Sequence, residues 1–335
     1  MTRFILITGA NGEIGHGLIR NLSNDSENQI VALDINPLDQ SLRSLITEFV
    51  KADILDNTKT SKLFEKYSFD TVFHLAALLS TSAERDPVKA HHVNTDGAIN
   101  ILFHAERFAR KNKKKVKFIF PSSIAIYGMP DMETKARIKK VKEGQYNLPA
   151  TMYGCNKLYI ETLGNYYARY YEKDRKSDTQ YLDFRSLRFP GIISTDTMPT
   201  GGTSDFGPEM LHAAAKNQDY ECFVRASSKI PFMVMPDAVR ALLKLAKAPK
   251  SSVKQHVYNV GSFAISAEGI AKYAVQINKI KITYKPHQKR QAIVDSWPED
   301  VDDSKARTDW GWKPMFSEKK SFRDYLIPSI KSQYE

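Results

Sequence analysis

The chain has 335 residues, 42% apolar and 26% charged, and 49 Lys and Arg against 38 Asp and Glu give a net charge of +11. That length holds one main α/β domain and a smaller lobe, and no apolar run approaches the ~20 residues that cross a bilayer. The first strand starts too near Met1 for a secretory leader, and two cysteines, Cys155 and Cys222, neither staple a secreted fold nor make a zinc cluster, so a cytoplasmic, metal-free protein is expected.

In chain order, Phe4–Thr8 reads as a strand, Gly12–Leu22 as a helix, Gln29–Leu33 as a strand and Phe49–Ala52 as another. Thr58–Tyr67 reads as a helix, Thr71–His74 as a strand, Pro87–Arg110 as a long helix and Lys117–Pro121 as the fifth strand. Tyr153–Tyr171 is a second long helix, Glu172–Gln180 a polar surface loop, and Asp183–Phe189 a further strand. Strands alternating with helices imply right-handed crossovers and a doubly wound, Rossmann-type parallel sheet. The expected division is residues 1–189 as the nucleotide-binding domain, its sheet completed by later segments, and 190–335 as mainly a substrate lobe. Basic residues are scattered apart from Arg110-Lys111-Asn112-Lys113-Lys114-Lys115 and a looser run from Lys135 to Lys142. The first run falls where the long helix ends, and cations are favoured at a helix C-terminus. No stacking aromatics accompany it, so neither nucleic acid nor a membrane is expected as a partner.

Two motifs carry chemistry. Gly9-Ala10-Asn11-Gly12-Glu13-Ile14-Gly15 follows the apolar strand and opens a helix. Such a turn lets backbone N–H groups approach a pyrophosphate, with the helix dipole behind it. Asp34 ends the second strand, where a carboxylate meets ribose hydroxyls and repels a 2′-phosphate; no Arg follows it, so NAD is expected over NADP. The plainer reading of Asp34 is a solvated strand-end carboxylate. Asp53 follows the third strand, placed to meet an adenine amino group, and His74-Leu75-Ala76-Ala77 ends the fourth with small residues that let a dinucleotide lie across the sheet edge or simply pack a helix closely. Far downstream, Tyr153 and Lys157 stand four residues apart on one helix face, where an ammonium can draw the phenol toward its phenolate. Ser122 and Ser123 leave the fifth strand with hydroxyls at the same crevice. Cys155, inside the second motif, has no base to activate it and is expected to pack.

With G-x-x-G-x-x-G, a Ser after the fifth strand and Y-x-x-x-K in place, the chain resembles the extended short-chain dehydrogenase/reductase (NAD-dependent epimerase/dehydratase) family. A narrower resemblance, to the family's short-chain type of L-threonine 3-dehydrogenases, rests on His74–Ser80, Leu187–Ser194, Gly201–Phe206, Ile230–Asp237, Arg290–Pro298 and Asp302–Trp312. The resemblance implies NAD along Gly9, Asn11, Gly12, Glu13, Ile14, Gly15, Asp34, Asp53, Ile54, Leu75, Ala76, Ala77, Asn94, Tyr153, Lys157 and Ile192. It implies Ser123, Tyr153 and Lys157 as the catalytic set, and Ser80, Ser123, Tyr153, Thr203 and Ser204 as substrate contacts. The implied reaction is oxidation of threonine to 2-amino-3-oxobutanoate, and the implied assembly is a homodimer through the two long helices. Thr203 and Ser204 also suit plain turn chemistry after Gly201-Gly202. Trp297, Trp310 and Trp312 are expected to pack the lobe.

The chain departs from the family in Pro199–Phe206, in a longer basic segment Met129–Pro149, and in Glu172–Gln180. These touch the substrate side. A nucleotide-sugar epimerase or dehydratase, a dehydrogenase of another small hydroxy acid or sugar acid, and a cofactor-sensing binding protein without turnover stay open as alternatives.

Overall fold

The computed structural model describes residues 2–171, 180–195, 198–199 and 202–334. Its main sheet is built from β1 (Arg3–Thr8), β2 (Asn28–Asp34), β3 (Glu48–Lys51), β4 (Phe69–His74) and β5 (Val116–Ser123), each within a few residues of its sequence expectation. The short strand β6 (Lys140–Val141) lies apart, and β7 (Leu182–Phe189) rejoins the sheet. Then come β8 (Gly191–Ile193), β9 (Tyr220–Cys222), β10 (Lys229–Val234), β11 (Val257–Asn259), β12 (Phe263–Ser266), β13 (Ile282–Tyr284) and β14 (Asp300–Val301).

The seven-stranded sheet runs β11-β7-β5-β4-β1-β2-β3 with every neighbouring pair parallel. The chain winds outward from β1 to β3, then returns to lay β4 on the other side of β1. That reversal opens a crevice beyond the carboxyl ends of β1 and β4, where α/β sheets bind ligands. Side-chain alternation divides the sheet between two cores. Ile5 and Ile7 face one way with Leu18, Ile19, Leu242 and Leu245, from the helices Glu13–Leu22 and Met235–Lys247. Leu6, Val31 and Phe118 face the other way with Leu63, Ile101 and Ile160, from the helices Asn57–Lys66, Gly97–Lys111 and Met152–Arg169.

A third core, around Phe206, Phe232, Phe263 and Phe322, draws mainly on the second half of the chain, joined by residues 124–127, Met129 and Val141. It is clad by the small sheet β12-β10-β8 and the pairs β13-β9 and β14-β6. Trp297 packs there as expected, but Trp310 and Trp312 pack against the main sheet's helix Met235–Lys247 instead. The reason is chain path: after the helix Ser304–Trp310 the chain turns at Gly311, whose φ is +66°, and the indole N–H of Trp312 donates to the Gly261 carbonyl at 3.1 Å.

The basic segment Met129–Pro149 is an ordered part of the lobe wall. It holds the helix Met132–Ile138 and strand β6, which pairs in parallel with β14. Buried Lys135 donates to the Val294 carbonyl at 2.8 Å, and Asn259 donates through its amide to the Val141 carbonyl at 2.9 Å. The predicted loop Glu172–Gln180 lies outside the described residues except for Gln180.

Candidate active site

The three motif glycines separate by cause. Gly9 has φ +65°, and a Cβ there would stand 2.6 Å from the Ala76 amide nitrogen. A Cβ on Gly15 would stand 2.4 Å from the Ala10 carbonyl oxygen, so the helix could not seat against the turn. Gly12 is different. Its backbone is extended (φ −79°, ψ 163°), and the only atom a Cβ would approach is the Gly9 oxygen at 3.3 Å. Neither a positive φ nor a hard clash demands glycine at Gly12, where a missing side chain leaves room for a ligand to approach the backbone. The helix beginning at Glu13, with Ile14 in its first turn, has no side-chain cap, which leaves its first N–H groups for an anion.

Asp34 is buried and fixed, not a solvated strand end. Its carboxylate accepts from the Asn11 amide at 2.9 Å and from the Asn36 amide at 2.8 Å, so it braces the glycine turn from the second strand. The Asn11 side chain reaches on to the Asp39 amide at 2.9 Å. Asp53 is exposed and accepts from the Leu55 amide at 2.9 Å, with its other oxygen unengaged by any bond among the described residues. Ile54 turns into the core, where a Cβ on Gly97 would stand 2.4 Å from its Cδ1. Leu75, Ala76 and Ala77 line the end of β4, half-buried, and Ile192 lies half-buried on β8.

Asn94 sits in a wide turn, His92–Asp96, inside the long helical stretch from Pro87 to Lys111. That turn rotates Asn94 off the regular helix so that its amide brackets Leu78: it donates to the Leu78 carbonyl at 3.0 Å and accepts from the Leu78 amide at 2.7 Å. It also donates to Asn156 at 3.3 Å. Asn94 therefore holds the segment after β4 in place against the helix that carries Tyr153.

Ser123 ends β5 and its Oγ accepts from the Ala125 amide at 3.1 Å. Thr151 caps the next helix by accepting from the Gly154 amide at 3.0 Å. A Cβ on Gly154 would lie 2.1 Å from the Ala125 carbonyl, so glycine lets the helix start press against the turn after Ser123. This contact brings Ser123 and Tyr153 to one corner. Lys157, buried, donates from Nζ to the Pro121 carbonyl at 2.7 Å, 4.4 Å from the centre of the Phe120 ring and 5.4 Å from that of Tyr153. Burial pulls its ammonium down to about 7. Burial also pushes the Tyr153 phenol above its ordinary value, with no neighbouring charge to offset it. In the protein alone the ammonium donates to a β5 carbonyl rather than to the phenol.

His74, unassigned by the sequence reading, stands behind the lysine. Its Nδ1 hydrogen-bonds the Thr8 hydroxyl at 2.8 Å, tying the ends of β4 and β1, and burial first, then Lys157, pulls it down to about 3. It is therefore a neutral spacer. Cys155 does not pack as expected; it lies exposed on the outer helix face.

On the lobe side, Ser80 starts the short helix Ser80–Arg85 and is half-buried. Thr203 is buried and Ser204 half-buried in a turn where Asp205 accepts from the Gly202 amide at 2.6 Å. The turn is close to β8, since a Cβ on Gly191 would be 3.3 Å from that of Ser204. Arg290, whose role the sequence did not signal, donates to the Gly202 carbonyl at 2.6 Å and fixes this turn from the helix Gln288–Ser296.

Residues 5–261 match the NAD dependent epimerase/dehydratase family. The chain belongs to that family. It is 33% identical over 314 residues to the mitochondrial L-threonine 3-dehydrogenase of Bos taurus, covering 93% of this chain and 79% of the relative. Among solved structures it resembles a monomeric L-threonine 3-dehydrogenase from a metagenome in its apo form (TM-score 0.84, 33% identity, 99% and 100% of the two chains). It also resembles the L-threonine dehydrogenase of Clostridium difficile (TM-score 0.85, 32% identity, 99% of both). As a member of the epimerase/dehydratase family with these relatives, the protein is an NAD-dependent oxidoreductase acting on a small molecule. The glycine turn fits that cofactor on the structure's own terms, since Gly12 leaves the room and the uncapped helix leaves the donors. Among the described residues, no helix is long and apolar enough to cross a membrane, and no three His, Cys, Asp or Glu side chains gather to hold a metal.

Proposed function

We propose that the protein oxidises the β-hydroxyl of L-threonine to 2-amino-3-oxobutanoate. The observation that carries this reading is the corner where the turn after Ser123 meets the start of the helix carrying Tyr153, closed by the Gly154–Ala125 contact and backed by buried Lys157. NAD, when bound, accepts the hydride; its pyrophosphate would lie on Gly9 to Gly15 and its adenosine ribose at Asp34. Ser123 orients the substrate hydroxyl, and Tyr153, once its own proton has left to solvent and it stands as phenolate, takes that hydroxyl's proton. The phenol starts raised by burial, so proton transfer depends on positive charge gathered around it when the site is loaded. Lys157, held at the Pro121 carbonyl with Nζ 5.4 Å from the centre of the Tyr153 ring, would hold the ribose and favour the phenolate. Ser80, Thr203 and Ser204 would receive the amino acid's polar groups, the turn being held by Arg290. Residues 1–189 would serve the cofactor and 190–335 mainly the substrate, in a cytoplasmic homodimer.

The test is a substrate screen with NAD, following NADH formation with L-threonine, its stereoisomers, small hydroxy acids and nucleotide sugars. Turnover selective for L-threonine is expected, with Tyr153→Phe lowering kcat by about 10²- to 10⁴-fold while NAD affinity stays within about threefold. Turnover only with another hydroxy acid, or interconversion of nucleotide sugars without net reduction, would reject the threonine reading.

A further inference from the structure

At the far end of the helix that carries Tyr153, a second concave site opens at the other ends of the sheet's strands. The cavity, about 360 Å³, is lined by Arg169, Lys250, Lys254, Gln255 and His256, among others. It lies beside Leu182 and Asp183, at the amino end of β7, whereas the cofactor crevice is at the carboxyl ends of the strands.

The arrangement is built rather than incidental. His256 is buried, and its Nδ1 lies 2.9 Å from the Phe184 carbonyl, which can only accept, so that nitrogen carries the proton. The other nitrogen, Nε2, is then the acceptor for the Arg169 Nε–H at 2.7 Å. Burial lowers the affinity of His256 for a second proton, which keeps it neutral and able to accept. The histidine thus grips the guanidinium by its inner edge. Among the described residues no hydrogen bond engages Nη1 or Nη2, the edges that make two parallel bonds to an oxyanion. Lys250 and Lys254 bring two further ammonium groups. Of the nearby acids, Asp183 is shared between Lys250 at 2.9 Å and buried Arg185 at 2.6 Å, and Glu143 is engaged by the Asn259 amide at 3.0 Å and Gln255 at 3.2 Å. Among the described residues, positive charge is left in excess around a concave space of small-molecule size. A solvated helix end explains a scattered arginine and lysine but not a buried neutral histidine spent on aiming the guanidinium.

We propose that this cavity binds a small phosphate-bearing anion, separately from the cofactor. Shape argues against a nucleic-acid track, which would need an extended groove rather than a compact concavity of about 360 Å³.

The experiment is calorimetric titration of tripolyphosphate, inorganic phosphate and ATP into the protein saturated with NAD, so that the pyrophosphate cradle is already filled. Saturable binding at one site is expected. Arg169→Gln and Lys254→Gln are each expected to weaken it by about tenfold or more, and Lys113→Gln, in the separate basic run, to leave it unchanged. Equal affinities for tripolyphosphate and ATP would assign recognition to the phosphate chain, and tighter ATP binding to a nucleotide; either supports the site. No saturable binding in the NAD-loaded protein, binding indifferent to both cavity substitutions, or preferential binding of a single-stranded oligonucleotide would overturn it.

Discussion

Gly12 and Gly15 show how far a single residue's role can be read. In the sequence the two are equivalent members of one motif. In the structure, Gly15 is required by the fold, because its missing Cβ makes room for the Ala10 carbonyl, while a Cβ at Gly12 would meet only the Gly9 carbonyl oxygen, at 3.3 Å. Gly15→Ala is therefore expected to lower stability by about 2 kcal/mol or more, through forced backbone displacement. Gly12→Ala is expected to change stability by less than about 1 kcal/mol yet weaken NAD binding at least about tenfold. Thermal unfolding and calorimetric titration of both variants check this; a Gly12→Ala protein that binds NAD normally would remove the reason offered for that glycine. Tyr153 and Lys157 were legible by their spacing, but the direction of their interaction was not. Helical periodicity sets which residues share a face, whereas the carbonyl that captures the ammonium comes from a strand 36 positions earlier.

Among elements, the segment Met129–Pro149 departs most from its sequence reading. Its sequence reads as a longer basic segment on the substrate side, yet Lys135 is 2% exposed, reaching through the lobe wall to the Val294 carbonyl. Composition could not reveal this, because a lysine's long apolar stem buries readily when its end finds an acceptor. Burial pulls the Lys135 ammonium down to about 8, below its ordinary 10.5. Between these two values the unfolded chain binds more protons, so the lysine's penalty on the fold is fully present below about 8 and is relieved as pH rises toward 10.5. The stability of Lys135→Met relative to the unaltered protein is therefore expected to be highest near neutral pH and to fall through that alkaline range, by an amount on the order of a few kcal/mol. Denaturant unfolding at several pH values measures it; a difference independent of pH would mean that the ammonium is not held as described. The long helices were legible from their periodicity, though the wide turn at His92–Asp96 was not, since it depends on where Asn94 finds Leu78.

At the scale of the whole molecule, the outer face of the helix Met152–Arg169 presents Tyr159 at 48% and Tyr166 at 46% exposure, seven positions apart and so on one stripe. A twofold contact through this stripe is the expected assembly. Sedimentation should give a dimer at micromolar concentration and a monomer for the double variant Tyr159→Glu, Tyr166→Glu; a monomeric unaltered protein would defeat the homodimer proposal and match the related dehydrogenase described as monomeric. Taken alone, the sequence determined the parallel sheet, the glycine turn after β1, the carboxylate ending β2 and the Tyr153–Lys157 spacing. Each of these follows from short-range physics: alternation, backbone freedom at glycine, and the helical repeat. Only the tertiary structure decided that Lys157 donates to a β5 carbonyl, that Trp310 and Trp312 cover the sheet rather than the lobe, that Arg290 fixes the Thr203–Ser204 turn, and that His256 aims Arg169. Those outcomes depend on partners tens to hundreds of residues away, whose desolvation and unshared hydrogen-bonding groups are set only when the cores close.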